Sequence, residues 1–204
     1  MLKERNERDK ARITVVSPEP PGSWLGGMGM ARALRNALEA HDIELLPDFR
    51  ITGITSKQVA TSDGVRKDYD LLMLVPPFRG APALTGMGIT DEEGFVCVDS
   101  TMRVRGVDGM YAVGDCVNFS GPKLGHMAVM QAEVAAHNLV SELKGAEPNK
   151  QYRHEITMII DEGGSHSIFL QKHSLEEDKG NVKQARFWSW AKRIHEKYWQ
   201  FEHS

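Results

Sequence analysis

The chain has 204 residues, a formal net charge of -3 and 41% apolar residues, an ordinary globular composition with material for one large domain or two small ones. That charge excludes the broad basic field of a nucleic-acid binder. No apolar run reaches the ~18 residues of a membrane span, and the charged opening Met1–Lys10 lacks the apolar segment of a signal peptide. The two cysteines, Cys97 and Cys116, form no CxxC and the eight histidines form no HxH or HxxxH pair, so neither a disulfide framework nor a metal site is expected and a reducing cytoplasm is the default.

In chain order, Ile13–Val16 is a short β-branched run stopped by Ser17-Pro18 and reads as a buried strand. A loop follows through Gly27, and the spacing of Met30, Ala33, Leu34, Ala37 and Leu38 predicts a helix over Met30–Ala40. Ile43–Leu46, Phe49–Ile54 and Gln58–Thr61 are strand candidates, with Asp63-Gly64 as a turn. Leu71–Val75, a continuous apolar run closed by Pro76-Pro77, suits a parallel strand buried on both faces. Beyond a Gly/Pro-rich connection (Phe78–Gly88), Phe95–Val98 and Met110–Val113 read as strands. Met127–Leu143 reads as a long helix with Met127, Met130, Val134, Ala135, Leu139 and Leu143 aligned. Two further strands, His154–Ile160 and His166–Leu170, precede a charged loop and a Trp-rich helix. The alternation gives an α/β fold with a small α+β tail.

The most informative stretch is Thr101–Asp115, where an apolar strand ends in Gly-Asp and a loop leads to a helix. Doubly wound folds place ligands at such strand ends. Gly114 has no Cβ, so a ligand can approach its backbone. Asp115, an acceptor when ionised, can bind a ribose-like hydroxyl. The positive end of the Met127 helix would favour an anionic group nearby. A plain turn with a helix-capping aspartate is the simpler alternative.

The pattern of Thr101, then Gly109-Met110-Tyr111-Ala112-Val113-Gly114-Asp115, resembles the second FAD motif of flavoproteins with two dinucleotide-binding domains. Gly121-Pro122-Lys123-Leu124-Gly125-His126-Met127 and the tail Phe187-Trp188-Ser189-Trp190 resemble the sulfide:quinone oxidoreductase branch. The resemblance implies a partial Rossmann-like flavoprotein fold: residues 1–90 as part of an NAD-like domain, 91–145 as the C-terminal part of the FAD domain, and 146–204 as a C-terminal segment. It implies that Gly114 and Asp115 meet FAD, and that Lys123 and the backbone near Met127 lie by the flavin ring or a quinone. Lys123 and Cys116 are the catalytic candidates. For Cys116 a nucleophile and a small buried residue are both open; for Lys123, so is a solvated loop lysine.

Two departures from the family pattern stand out. The strand and Gly-x-Gly-x-x-Gly turn that bind the FAD pyrophosphate are absent; Gly26-Gly27-Met28-Gly29 follows a loop and lacks the spacing. Chain order makes Ile13–Val16 a strand of the NAD-like domain, with Glu19 at its end as a candidate NAD(P)H ribose ligand or a loop residue. Where the resemblance implies a sulfide-reactive cysteine stands Met158, which cannot form a thiolate. The expectation is an FAD-dependent oxidoreductase passing electrons from a small reductant to quinone, with residues 1–204 inactive alone. The alternatives are an NAD(P)H-dependent flavoprotein dehydrogenase and a non-catalytic half-fold with an N-terminal-half partner; a homo-oligomer is also open. Phe187, Trp190, Ala191, Ile194, Tyr198 and Phe201 fall on one face of a helix expected over Lys183–Phe201. That face suits either the protein's own core or a membrane surface, the latter making the protein peripheral on the inner face of the membrane.

Overall fold

A computed structural model describes residues 10–19, 23–119, 121–161, 167–172 and 181–185. They fall into two compact units. One holds the described residues up to Leu74 with 157–172 and 181–185; the other is Val75–Ile156. The Gly/Pro-rich stretch after Val75 packs as part of the second unit. There the Gly80 N–H donates to the Glu93 carbonyl at 3.0 Å. A Cβ on Gly80 would lie 1.7 Å from the Gly94 carbonyl oxygen, so only glycine permits that crossing.

In the first unit, β1 (Ile13–Val16) pairs in parallel with β2 (Ile43–Leu46), Ile13 opposite Ile43. Parallel neighbours require a crossover, and α1 (Ser23–Ala40) supplies it. The helix begins at Ser23 rather than Met30, so the Gly26–Gly29 stretch is helical and not a loop. β3 (Ile51–Ile54), β4 (Gln58–Thr61) and β5 (Arg66–Asp68) form an antiparallel meander, with the Asp63-Gly64 turn joining the last two and Gly64 at φ +87°. On β2, Glu44 accepts from Lys67 of β5 at 2.7 Å and from Thr14 of β1 at 2.8 Å. These bonds, Lys67 first, hold its carboxyl below the usual range.

A third sheet runs β6 (Ile156–Asp161), β7 (Ser167–Lys172), β8 (Asn181–Ala185) in that order. β7 buries Ser167, Ile168 and Leu170 and pairs antiparallel with β8. β8 occupies the start of the helix expected over Lys183–Phe201, whose remainder lies outside the described residues. Leu71–Val75 is not a strand: Leu71 and Met73 are each 90% exposed and Val75 74%. A parallel strand is buried by its neighbours, and neither β1 nor β2 pairs with this run. No described helix is long and apolar enough to cross a membrane.

The second unit contains α2 (Gly125–Leu143) and, in place of the expected strands Phe95–Val98 and Met110–Val113, a meander of single bridges. Val96 bridges Val117 in parallel, Val98 bridges Val104, and Arg103 bridges Tyr111. Val96, Val98, Met102, Val104 and Val117 form the core with Val134 and Ala135 of α2. The buried face of α2 is Met127, Gln131, Val134, Ala135 and Asn138, spaced as one helical stripe. Leu139 and Leu143, expected on that stripe, are 39% and 79% exposed, and two amides take the inward positions.

Asn138 uses its whole hydrogen-bonding capacity. Its Nδ2 donates to the carbonyls of Thr101 (3.0 Å) and Lys150 (2.7 Å), and its Oδ1 accepts from the amides of Asn149 (3.1 Å) and Lys150 (3.0 Å). Asn138→Leu keeps the volume and forfeits all of these. We expect it to destabilise this unit by about 2–4 kcal/mol, measured by hydrogen exchange of the α2 amides. A loss below ~0.5 kcal/mol would remove this role from Asn138.

Candidate functional site

The Gly114-Asp115 step is built by opposing local preferences. Val113 is extended (φ -145°, ψ 161°), and the chain then turns through one 3₁₀ turn, Gly114–Cys116. Gly114 sits at φ +79°, a region costly for residues with a Cβ. An added Cβ would make only ordinary contact with Ala128 Cβ at 3.5 Å. The turn therefore requires glycine for its backbone angle and not for space. Its amide donates to Gln131 Oε1 at 2.7 Å and its carbonyl accepts from the Val117 amide at 3.2 Å.

This geometry leaves Asp115 exposed, with no hydrogen bond to the described residues. Cys116 is half-buried and its thiol donates to the Val113 carbonyl at 3.2 Å. α2 starts at Gly125 after Leu124, whose side chain gives no cap; the Leu124 carbonyl accepts from the Met127 amide at 3.0 Å and the Ala128 amide at 3.2 Å. The Met127 side chain is fully buried and its amide is bonded to the Leu124 carbonyl.

Lys123 does not extend into solvent. Its Nζ donates to the Val117 carbonyl at 2.5 Å and lies over the rings of Phe95 (4.3 Å) and Phe119 (4.5 Å), a cation–π box. Burial lowers its pKa, against the charge of Asp115, which raises it. Phe119 meets His154 edge-on at 5.0 Å, and His154 meets Tyr152 at 5.2 Å. His126 Nε2 lies 3.1 Å from the Glu155 carbonyl. The turn thus presents a carboxylate outward above a packed cation, next to a helix N-terminus.

The Val75–Ile156 unit brings together Gly114, Asp115, Cys116, Lys123 and Met127. Glu19 belongs to the other unit, exposed just past β1. Met158 is half-buried in β6. Sequence reasoning missed Gln131, Phe95, Phe119, Tyr152 and His154. One signal was available for Gln131, a glutamine four positions after Met127 on the inward stripe of an otherwise apolar helix. Of the aromatic partners of Lys123, Phe119 lies four residues before it in the same loop, whereas Phe95 is distant in sequence and leaves no local pattern.

Tyr111 ties the motif to the far end of α2. Its hydroxyl donates to Glu142 Oε2 at 2.8 Å, and Arg103 Nη2 reaches Glu142 Oε1 and Asp108 Oδ1, both at 2.8 Å. Burial first, and then the Glu142 carboxylate, push the Tyr111 pKa up to about 12. An unfolded tyrosine ionises near ~10, so this contribution to stability is complete below that pH and is lost as pH rises through the folded value. Difference titration of the phenolate absorbance against Tyr111→Phe should place Tyr111 near pH 12, and Glu142→Gln should move it down. Ionisation near ~10 in the folded protein would break this account.

Comparison with known proteins places the site in a wider frame. The family model described as pyridine nucleotide-disulphide oxidoreductase matches residues 21–132, just over half of the chain. The chain is 32% identical over 87 residues to the mitochondrial sulfide:quinone oxidoreductase of Schizosaccharomyces pombe, a match covering 42% of this chain and 19% of that protein. It is 30% identical over 77 residues to ferroptosis suppressor protein 1 of Xenopus laevis, covering 38% of this chain and 21% of that one. Among solved structures, the sulfide:quinone oxidoreductase of Aquifex aeolicus superposes with a TM-score of 0.85 at 19% identity, covering 98% of this chain and 52% of that chain. The fold is shared, and the chain spans about half the length of that structure and the matches about a fifth of the curated relatives.

Proposed function

The chain belongs to the pyridine nucleotide-disulphide oxidoreductase family, and from that premise we propose that its Val75–Ile156 unit forms the C-terminal part of an FAD site in a quinone-linked flavoprotein. The observation that carries this reading is the Gly114-Asp115 turn: an exposed carboxylate with no hydrogen bond to the described residues, backed by Lys123 and set beside the α2 N-terminus. These residues fit the ribityl and phosphate portions of a dinucleotide. Asp115 accepts from hydroxyls, the left-handed Gly114 keeps the surface low, and the positive end of α2 favours an anion.

FAD supplies the electron-transfer chemistry when bound. The chain's own residues bind and orient it. In this reading Lys123 acts through its field: its amine is already committed to Val117 and two rings, so it stabilises negative charge from beneath the turn. Cys116, with its thiol engaged at Val113, is a packing residue and not the nucleophile. The first unit holds part of the NAD-like domain, where Glu19 would serve an NAD(P)H-dependent member, the second reading. The electron acceptor is a quinone, supported by the two similar sulfide:quinone oxidoreductases. With Met158 in β6, the donor we favour is a small reductant that needs no thiolate at that position. The Trp-rich segment would meet a membrane surface on the cytoplasmic side, and a segment carrying the phosphate-binding Gly-rich turn would complete the FAD site.

The test is a titration of residues 1–204 with FAD, a short-chain ubiquinone and NADH, followed residue by residue by NMR. FAD should shift Gly114 and Asp115 with weak affinity, and Asp115→Ala should weaken it about 10–100-fold, the loss of one charged hydrogen bond. Quinone should shift Lys123 and Met127. NADH shifts at Glu19 would support the second reading. FAD shifts that leave Gly114 and Asp115 untouched would sink the site, and FAD retained stoichiometrically through gel filtration would sink the partial-site reading.

A further inference from the structure

Gln131 is fully buried on α2, and a buried amide is expensive unless its polar atoms are used. Its Oε1 takes the Gly114 N–H at 2.7 Å. Among the described residues, its Nε2 and the Tyr152 hydroxyl are buried side-chain atoms that find no hydrogen-bond partner within ordinary limits. A helix-core position that tolerates leucine or methionine on size alone thus carries a glutamine at the cost of an unsatisfied donor. What it gains is one acceptor aimed at the glycine amide of the turn.

We propose that Gln131 is a positioning residue for the Gly114-Asp115 turn, pinning the Gly114 amide so that the backbone stays left-handed and the Asp115 carboxylate faces outward. The orientation of the amide is dictated by chemistry. The Gly114 N–H can only donate, so the carbonyl end of Gln131 must face it and the NH₂ end must face inward. Burial raises the Tyr152 pKa, and the Gln131 amide opposes that shift. Tyr152 is itself fixed by its amide, which donates to the Ser100 carbonyl at 2.7 Å, and by the edge contact with His154. The glutamine is therefore clamped to the turn through its Oε1. Gly114 alone permits the left-handed angle but does not enforce it, since glycine populates both hands. Gln131 supplies the selection. The importance of the turn rests on the proposed FAD site, whereas the clamp is a property of the chain itself.

Hydrogen exchange of individual amides in residues 1–204 tests the clamp without any ligand. In the unsubstituted chain Gly114 should exchange at least about tenfold more slowly than the neighbouring Asp115 amide. Gln131→Met should erase that difference while Val134 and Ala135 of α2 keep their protection. Gln131→Glu, which retains an acceptor, should restore most of it at low pH, where the buried carboxyl is neutral. Tyr152→Phe should leave Gly114 protected. A Gly114 amide that exchanges freely in the unsubstituted chain overturns the proposal, whether or not the variants fold. So does unchanged Gly114 protection in Gln131→Met. FAD titration of the same proteins separates the two ideas: a protected Gly114 with no FAD shift at Asp115 refutes the FAD site and leaves the clamp standing. An FAD shift with unprotected Gly114 does the reverse.

Discussion

Two buried amides on one face of α2 organise the unit that carries the site. Asn138 and Gln131 are two helical turns apart, both fully buried, and each reaches out of the helix to backbone that has no regular partner of its own. The segment 89–119 makes only isolated bridges, so its backbone groups cannot rely on a long ladder. A side-chain amide offers a donor and an acceptor in fixed relation and can replace a strand neighbour at one point. Asn138 does this for Thr101 and the 149–150 connection, Gln131 for Gly114. The hydrophobic core beneath them, from Val96 to Ala135, supplies stability without direction. The amides decide where the loops sit.

That division explains what was legible in the sequence. The Gly-Asp turn, the helix behind it, the β1–α1–β2 order and the β4 turn at Asp63-Gly64 follow from local rules of backbone and periodicity. The inward face of α2 did not, because the helix is apolar on two sides. Val129, Val140 and Leu143 are well exposed, with Met127, Val134 and Ala135 opposite. A search for apolar spacing pools both faces and passes over the glutamine and asparagine on the buried one. Similarly, Leu71–Val75 has the composition of a strand flanked on both sides, but its burial depends on partners that composition cannot supply. Phe95–Val98 and Met110–Val113 alternate as strands do and reduce to single bridges, since strand length is set by the neighbour and not by the run itself.

Lys123 shows the same limit from the side of chemistry. As a loop lysine next to a glycine-rich element it reads as a projecting cation, and its partners, Phe95 and Phe119, are separated from each other by a whole meander. Once these rings and the Val117 carbonyl are in place, the ammonium has lost much of its hydration. Burial lowers its pKa, with the Asp115 charge in opposition. A cation in that setting is worth more electrostatically than one in water, because nearby charge is less screened.

The site therefore combines a flexible requirement with a rigid solution. In the proposed FAD site, a carboxylate that takes hydroxyl groups must stand clear of the protein, which leaves it without internal hydrogen bonds to fix its direction. Asp115 meets the first condition by exposure. Its direction then has to come from the backbone on which it rides. That backbone is held at three points: Gly114 N–H on Gln131, Gly114 C=O on the Val117 amide, and the Val117 carbonyl on Lys123. Each anchor is itself packed, Gln131 in the helix core and Lys123 between two rings. Rigidity is thus placed one layer beneath the exposed acceptor, where it costs no solvent access and leaves the outer surface free for a ligand.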